Sequence, residues 1–384
     1  MEPDFLRMAE EIAVELRALR EDIHRHPELG NRETRTASLV EERLGSWGLE
    51  TERPLETAVV GTLRGALPGP TVGLRADLDA LPVTERTGAA FASENGGVMH
   101  ACGHDVHTAA ALGAAKLLSG LRERLPGTVK FFFQPDEEGW GGAARMIAAG
   151  CLGDTAAVFG CHVAPDLPLG TVGVRFGKFY AASDTFTVVM HGKSAHGARR
   201  SEGIDALGAA AKAVTELLAL PKELEPERSV VSVGTFSSGT AENILADRAE
   251  FHGILRSLGP DSRSYLRRRL RETVESAARE VGAEAELELR ESYGGVVNTQ
   301  AETELVRRTA SALLGPERVR VLTEPTMTTE DFGCFTAACA GSFYHIGAGC
   351  EAPLHSPEFL PAADAPVLAA ALHAAVLWGF LYSA

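Results

Sequence analysis

The sequence is poor in cysteine and contains no CxxC pair. Six cysteines are spread over 384 residues, and this usage does not make the disulfide framework of a small secreted protein. A zinc finger is excluded as well, because no second CxxC or HxxxH pair follows at short range. We therefore expect free cysteines and a cytoplasmic location.

The chain also has fewer basic residues than acidic residues. The chain has 37 Lys and Arg residues against 52 Asp and Glu residues, which gives a net charge of −15. This balance disfavours nucleic acid or an anionic membrane as a general partner. Residues 1–22 have neither a basic start nor a continuous apolar run, so we expect no signal peptide.

One long apolar run is present, APVLAAALHAAVLWGFLYSA at residues 365–384. Its length would suit a membrane tail anchor. The run is mostly alanine, carries His373 mid-way and has no basic flank. A buried C-terminal helix is therefore the favoured interpretation.

Most of the chain shows short apolar runs that alternate with alanine-rich helical stretches. This alternation predicts an α/β domain with a mixed, largely parallel sheet. Ligands of such sheets bind at the carboxyl ends of the strands, and several of the runs end in polar or charged residues. We therefore expect one composite site at that edge. The runs that end in this way occupy residues 71–82, 128–139, 156–163 and 342–349.

The middle of the chain has a different order of predicted strands and helices. A length of 384 residues already favours two domains. Residues 184–293 read as β-α-β-β-α-β, the order of a ferredoxin-like unit. We predict an inserted domain at 184–293 and a discontinuous catalytic, metal-binding domain at 1–183 and 294–384.

Five potential metal ligands fall within the eight residues HACGHDVH. If this segment is extended, Cys102 and His104 point to one side and reach one metal ion, since strand side chains alternate. Thiolate with imidazole favours zinc or a neighbouring transition metal over magnesium or calcium. The alternative is a buried cysteine beside ordinary loop histidines. The candidates are His100, Cys102, His104, Asp105 and His107.

Two adjacent carboxylates, Glu137 and Glu138, follow the apolar run FFFQP. Such pairs are common in solvated loops, but this pair emerges toward the expected crevice. One carboxylate can bind a metal while the other moves a proton, as in a metallohydrolase. His162 in GCHV and His355 in APLHSPEF are further candidate ligands. The alternatives are a hydrogen-bonded core histidine for His162 and an ordinary loop histidine for His355.

Motifs along nearly the whole chain resemble the aminoacylase/carboxypeptidase family of co-catalytic metallohydrolases. In particular they resemble the branch of hippurate hydrolases, indole-acetyl-amino-acid hydrolases and N-acyl-amino-acid amidohydrolases. Together these motifs identify the family, but they say little about which substrate the protein acts on. The motifs are DIHRHPELGNRE, RADLDALPV, GVMHACGHDVHTAA, FFFQPDEEGWGGAARMI, GCHV, GKSAHGARRSEGIDAL, GTAENILAD, TTEDF and LHSPEF.

The resemblance implies a centre of two divalent metal ions per subunit (Zn, Mn, Co or Ni). Glu137 would be the general base and acid. Asp79 would lie next to the metal ligands without being a ligand itself. The wider family has His-x-Asp where this chain has Asp77-Leu78-Asp79, so Asp77 is not assumed to be a ligand. Relatives commonly have Ala at the position of Asp136, whose role stays open. The implied ligands are Cys102, His104, Glu138, His162 and His355.

The resemblance also assigns roles to the inserted domain, as a lid and as the surface of a homodimer or a higher oligomer. His196 would reach into the partner subunit's site and stabilise the oxyanion. Asn243 and Arg256 would bind the substrate carboxylate, a task that suits the planar fork of Arg. The alternatives are an ordinary surface histidine and an ordinary strand-end arginine.

These features predict a cytoplasmic, dimeric, metal-dependent amidohydrolase that cleaves N-acyl-L-amino acids into a carboxylic acid and a free amino acid. An N-acetyl-diaminopimelate deacetylase and a dipeptidase or carboxypeptidase are the alternatives within the enzyme class. A catalytically idle binding protein and a membrane-anchored protein are the alternatives outside it. The acyl group, the side-chain preference and the native metal stay open.

Overall fold

The computed structural model describes residues 3–383, which form two compact units. The first unit takes in the described residues up to Gly177, Val297–Glu324, and the described residues from Asp331 onward. The second unit comprises Lys178–Val296 and Pro325–Glu330. Residues 1, 2 and 384, which the predicted catalytic domain includes, lie outside the described residues.

The helices of both units alternate with strands over most of the chain. In chain order the helices are α1 (Phe5–Glu11), α2 (Ala13–Arg25), α3 (Thr34–Ser46), α4 (His104–Ser119), α5 (Ala143–Ala148), α6 (Ala206–Ala219), α7 (Pro260–Val281), α8 (Gln300–Leu314), α9 (Gly333–Ala338) and α10 (Ala365–Ser383). The strands are β1 (Glu50–Glu52), β2 (Val59–Arg64), β3 (Leu67–Asp77), β4 (Pro126–Gln134), β5 (Thr155–Ala164), β6 (Val172–Val174), β7 (Gly177–Lys178), β8 (Ala182–His191), β9 (Ala195–His196), β10 (Ser229–Ser238), β11 (Ile244–Leu245), β12 (Arg248–Ser257), β13 (Glu284–Glu291), β14 (Val297–Asn298), β15 (Val319–Val321) and β16 (Ala340–Gly347).

The large sheet of the first unit is mixed, with a parallel centre. Its strand order is β1-β2-β4-β3-β5-β16-β6-β15. The central strands β4, β3, β5 and β16 are parallel, while β2 and β6 pair antiparallel with β4 and β16. The predicted α/β fold class is confirmed. Because β4, β3 and β5 are parallel neighbours, the residues that follow them share one edge of the sheet.

The alanine-rich helices α4 and α10 pack against each other in the core of the first unit. A Cβ atom on Gly113 would lie 2.7 Å from Ala370 Cβ, so the two helices approach closely only because small residues face each other. Helix α10 is long and apolar enough to cross a membrane, but 72% of it is buried in the protein. The predicted buried C-terminal helix is confirmed.

His373 provides a polar contact within this apolar helix. The Tyr344 hydroxyl lies 2.7 Å from its Nδ1, and the Cys161 thiol lies 3.5 Å from its Nε2. Both ring nitrogens therefore have partners although the ring is buried. All six cysteines of the sequence are free thiols, as predicted.

The second unit contains an antiparallel sheet of order β10-β12-β8-β13. Along the chain its elements run β8, α6, β10, β12, α7, β13. The helices bury apolar side chains such as Leu217, Leu266 and Leu270 in a core of their own with Val188 and Phe251 from the sheet. This core gives the unit a hydrophobic centre separate from that of the first unit.

A buried cluster of charges joins α2 to the start of α4 in the first unit. Asp105 Oδ2 accepts hydrogen bonds from Arg20 Nε at 2.8 Å and His24 Nδ1 at 2.9 Å. The other ring nitrogen of His24 lies 3.2 Å from Glu85 Oε1. Burial lowers the pKa of His24, but Asp105 and Glu85 outweigh this effect and raise the pKa to about 9.

The raised pKa predicts a pH-dependent contribution of His24 to stability. The stabilisation is fully present below the ordinary histidine pKa of 6.5 and is lost as the pH rises through about 9. The advantage of the native protein over His24→Gln in free energy of unfolding should therefore shrink by about 3 kcal/mol from about pH 6 to about pH 10. Urea unfolding followed by tryptophan fluorescence measures it, because Trp47, Trp140 and Trp378 all lie in the first unit. Parallel pH profiles of the two proteins would contradict the assignment.

Candidate metal centre

The candidate site residues of the first unit come from the carboxyl ends of neighbouring strands. Strand β3 ends at Asp77, two residues before Asp79, and β4 ends shortly before Glu137 and Glu138. His162 lies near the end of β5. These strands are adjacent and parallel, so the fold brings residues that are far apart in sequence to one edge of the sheet.

The segment around Cys102 is a turn followed by a helix, so the extended conformation that would have placed Cys102 and His104 on one side is not present. Cys102 lies in the turn, Gly103 has a left-handed φ of 86°, and α4 begins at His104. A Cβ atom on residue 103 would also lie only 2.5 Å from Val163 Cγ2. Glycine is therefore required on both conformational and steric grounds, and the turn, rather than strand alternation, brings Cys102 and His104 together.

Two groups of potential ligands share the sulfur of Cys102. Cys102, His104 and His162 form one group, and Cys102, Glu138 and His355 form the other, with all donor atoms of a group within 4.8 Å of one another. Cys102 Sγ lies 3.3 Å from His162 Nε2, and His355 Nε2 lies 3.1 Å from Glu138 Oε1. The arrangement can hold two metal ions with one thiolate between them.

Hydrogen bonds orient the two imidazoles of the first group. The His162 Nδ1–H donates to the Val163 carbonyl at 2.8 Å, which leaves Nε2 free to bind a metal. The His104 Nδ1–H donates to Asp79 Oδ1 at 3.2 Å, and its buried Nε2 has no hydrogen-bond partner among residues 3–383. A buried nitrogen without a partner costs free energy unless something binds it, and a metal ion fits this position.

Asp79 connects the two ligand groups. Its Oδ1 accepts from His104, and its Oδ2 accepts from the backbone N–H of Glu138 at 2.9 Å. The carboxylate is almost fully buried. It therefore fixes one ligand from each group relative to the other.

The surroundings of the site keep the Cys102 thiol and the His104 imidazolium protonated until a metal binds. Burial raises the pKa of the Cys102 thiol well above its usual value. Burial lowers the pKa of His104, but the carboxylates around it, chiefly Asp77, outweigh burial and raise the pKa to about 10. Burial also raises the pKa of Glu138, but His355 and His104 lower it to about 2. Metal binding must displace the protons of the thiol and the imidazolium, so the affinity rises with pH.

The other candidates of residues 100–107 have different surroundings. His107 is fully engaged, because its Nδ1 lies 2.7 Å from Asp77 Oδ1 and its Nε2 accepts from the Val163 N–H at 2.9 Å. Asp105 belongs to the buried cluster with Arg20 described above. His100 is buried, and burial lowers its pKa to about 3.

Glu137 lies beside both ligand groups without belonging to either. Its carboxylate is buried, and it lies within 4.8 Å of the donor atoms of His104 and Glu138. A carboxylate at this distance from the ligands can hydrogen-bond a water molecule between them.

Asp136 stabilises the turn that carries the glutamate pair. Its left-handed φ is 58°, and its carboxylate accepts from the Trp140 N–H at 3.3 Å and Arg145 Nη2 at 3.4 Å. Its own N–H donates to Glu33 Oε1 at 2.9 Å. Sequence reasoning missed Glu33 as a support of this turn, although it is the last residue of the quoted motif DIHRHPELGNRE.

The remaining predicted site residues lie in the second unit. His196 and Asn243 are exposed on neighbouring segments, which are joined by the hydrogen bond from Gly197 N to the Asn243 carbonyl at 2.8 Å. Arg256 lies on β12 and is partly buried, and its Nη1 has no hydrogen-bond partner within the described chain. Burial lowers the pKa of this guanidinium. A buried cationic nitrogen of this kind is suited to an anionic ligand.

The fold and the centre of the first unit define a class of protein. Thiol, imidazole and carboxylate ligands at the strand ends of a largely parallel sheet, with a further carboxylate beside them, are the features of a metal-dependent hydrolase. The model of Peptidase family M20/M25/M40 matches residues 73–378. The chain belongs to this family and is a hydrolytic enzyme.

Individual relatives extend over nearly the same length. Thermostable carboxypeptidase 1 of Saccharolobus solfataricus is 38% identical over 368 residues, which cover 93% of this chain and 93% of the relative. The N-acyl-L-amino acid amidohydrolase of Geobacillus stearothermophilus is 39% identical over 296 residues, which cover 76% and 80%. The crystal structure of the Bacillus subtilis YXEP protein, a dinuclear metal binding peptidase, is 33% identical with a TM-score of 0.87 and covers 98% of this chain and 100% of that chain. The predicted family is confirmed.

The shared sulfur leads to a prediction about metal content. Cys102→Ala should abolish binding of both ions, whereas His162→Ala or His355→Ala should each abolish binding of one, since each removes a ligand from a single group. Metal per chain is measured by mass spectrometry after chelation, reloading with zinc and desalting. Cys151→Ala, which removes a buried cysteine outside both groups, is the control. Loss of only one ion in Cys102→Ala would contradict the bridging position.

Proposed function

We propose that the protein is a cytoplasmic, homodimeric amidohydrolase that removes the acyl group from N-acyl-L-amino acids. One observation carries the proposal: two ligand groups share Cys102, and the carboxylate of Glu137 lies beside them. The similarity to an N-acyl-L-amino acid amidohydrolase supports the substrate class. Free cysteines throughout the chain support the location.

The five ligands Cys102, His104, Glu138, His162 and His355 are proposed to hold two divalent ions, and the comparison with a dinuclear metal binding peptidase supports this number. When bound, the ions supply the positive charge that acidifies a water molecule and polarises the amide carbonyl. The thiol and the imidazoles favour Zn, Co or Ni, while Mn remains in the proposed set because availability often decides occupancy.

Glu137 is proposed to move the proton of the reaction. Its carboxylate takes a proton from the attacking water as the new C–O bond forms, and then gives that proton to the amide nitrogen as the C–N bond breaks. The products are a carboxylic acid and a free amino acid. Asp79 keeps His104 and Glu138 in place during these steps through its two hydrogen bonds.

Three residues of the second unit are proposed to act on the substrate. Asn243 and Arg256 bind the α-carboxylate, and the buried Nη1 of Arg256, which has no hydrogen-bond partner within residues 3–383, supports this role. His196 stabilises the oxyanion in the site of a partner subunit. The second unit would then serve as lid and dimerisation surface.

A carboxypeptidase or dipeptidase activity is the second candidate. The similarity to thermostable carboxypeptidase 1 favours it. The chemistry at the metal centre is the same for both candidates, because a peptide bond and an acyl-amino acid bond are both amides. The two functions differ only in the acyl group on the carbonyl side of the scissile bond.

A hydrolysis panel distinguishes the candidates. Chelated protein, reloaded separately with Zn, Mn and Co, is assayed with N-acetyl, N-benzoyl and indole-acetyl amino acids, N-acetyl-diaminopimelate and dipeptides. We expect metal-dependent release of free amino acid from one or more of the acyl-L-amino acids. Faster cleavage of dipeptides would favour the second candidate. Absence of hydrolysis with both ions bound would contradict each of them.

The variant Glu137→Gln tests the proton transfer on the substrate that the panel identifies. We expect kcat to fall by roughly 10²–10⁴-fold, because the amide cannot accept the proton, while the metal content stays native. Glu138→Gln is the matched control at the adjacent position, and it should lose metal instead. A kcat of Glu137→Gln within tenfold of the native value would contradict the role of Glu137.

A further inference from the structure

Asp77 lies next to the metal centre without belonging to either ligand group. Its Oδ2 is 3.7 Å from His104 Nε2, the buried nitrogen that is available to a metal. Donor atoms of Asp77, His104 and His107 all lie within 4.8 Å of one another. By distance and chemistry, Asp77 would be an additional ligand for an ion bound to His104.

Both carboxylate oxygens of Asp77 are already occupied. Oδ2 accepts from Arg75 Nη1 at 2.6 Å, and Oδ1 lies 2.7 Å from His107 Nδ1. All three side chains are buried. Charge-assisted hydrogen bonds of this length are among the strongest that side chains make, so they hold the Asp77 carboxylate in its position beside His104.

The two groups that hold Asp77 are themselves fixed. Arg75 Nε donates to Gln134 Oε1 at 2.9 Å, and Arg75 Nη2 donates to Asp331 Oδ1 at 2.9 Å. The His107 ring is fixed at its other nitrogen by the Val163 N–H. Neither Arg75 nor His107 can follow Asp77 toward the metal centre without losing these bonds.

We propose that Arg75 and His107 are positioning residues that keep Asp77 out of the metal centre. The ion bound by Cys102, His104 and His162 then has three protein ligands and an open coordination position, as catalytic metal sites require. The ligand set also stays free of a hard carboxylate on that side, which favours softer metals over Mn²⁺. This inference rests on the proposed assignment of those three residues as ligands.

The decisive variants are Arg75→Met and the double variant Arg75→Met/Asp77→Asn. Released from Arg75, Asp77 should bind the ion near His104, so the visible absorption of the Co²⁺-loaded protein should weaken as the coordination number rises. The affinity for Mn²⁺ relative to Zn²⁺ should rise about tenfold, because an oxygen ligand has been added. Both changes should disappear in the double variant, since an amide is a poor ligand. A purely structural role for Arg75 predicts no such reversal.

Asp77→Asn alone provides a second measurement, because it replaces the carboxylate with an amide of nearly the same size and leaves Arg75 in place. If Asp77 is kept out of the centre, the Co²⁺ spectrum of this variant should match that of the native protein with both ions bound. A changed spectrum would mean that Asp77 is a ligand in the native protein and would overturn the inference. It would also be overturned by native spectra and native Mn²⁺ selectivity in Arg75→Met, or by changes that persist in the double variant.

The inference can still be tested if Arg75→Met does not fold or if the protein shows no hydrolysis. If Arg75→Met does not fold, His107→Leu frees the other oxygen of Asp77 and carries the same expectations, with Asp77→Asn as the deciding measurement if both fail. Metal spectra and metal competition need no turnover, so a hydrolysis panel without activity leaves the inference standing. Conversely, a hydrolase that matches the panel but shows a changed Asp77→Asn spectrum retains the proposed function and loses the inference.

Discussion

The sulfur atom of Cys102 is the point at which the two ligand groups meet, and the rest of the centre is arranged around it. A buried thiol beside carboxylates keeps its proton, so the thiolate needs the charge of a bound cation. The left-handed turn at Gly103 places the sulfur next to the first residue of α4. The close approach of Val163 to this turn then fixes its distance from the end of β5.

The two aspartates at the carboxyl end of β3, Asp77 and Asp79, have opposite relations to the centre. Asp79 holds a ligand from each group through its two oxygens. Asp77 is held by Arg75 and His107, the two residues proposed to keep it out of the centre. Buried carboxylates are tolerated here because each has charged or polar partners for both oxygens. Two residues apart in sequence, they illustrate how partners rather than residue type decide the role of a carboxylate.

Much of this arrangement was predictable from the sequence, because strand ends in a parallel sheet share one edge. That rule brought together Asp79, the glutamate pair and His162, although they are far apart in the chain. The largely parallel sheet and the buried C-terminal helix followed from hydrophobic patterning in the same way. The order of strands and helices in the second unit could also be predicted, because apolar residues recur with a period of two in its strands and of about 3.6 in its helices.

Other features depended on contacts that sequence patterns do not contain. The residues from His100 to His107 offer five similar ligands, and only packing separates Cys102 and His104 from Asp105, which pairs with α2, and from His107, which pairs with Asp77. Strand alternation does not apply to this segment, since the chain turns at Gly103. The role of Asp136 could not be predicted from the sequence. It depends on a contact with Arg145 on the next helix, α5, which no sequence pattern reveals.

We infer that one sulfur atom would bridge the two metal ions, and anomalous diffraction from crystals of the zinc-loaded protein tests this bridge. We expect two zinc peaks about 3.5–4 Å apart, each within roughly 2.3 Å of Cys102 Sγ. His104 and His162 should bind one ion, and Glu138 and His355 the other. A single zinc peak, or two peaks of which only one contacts the sulfur, would contradict the account.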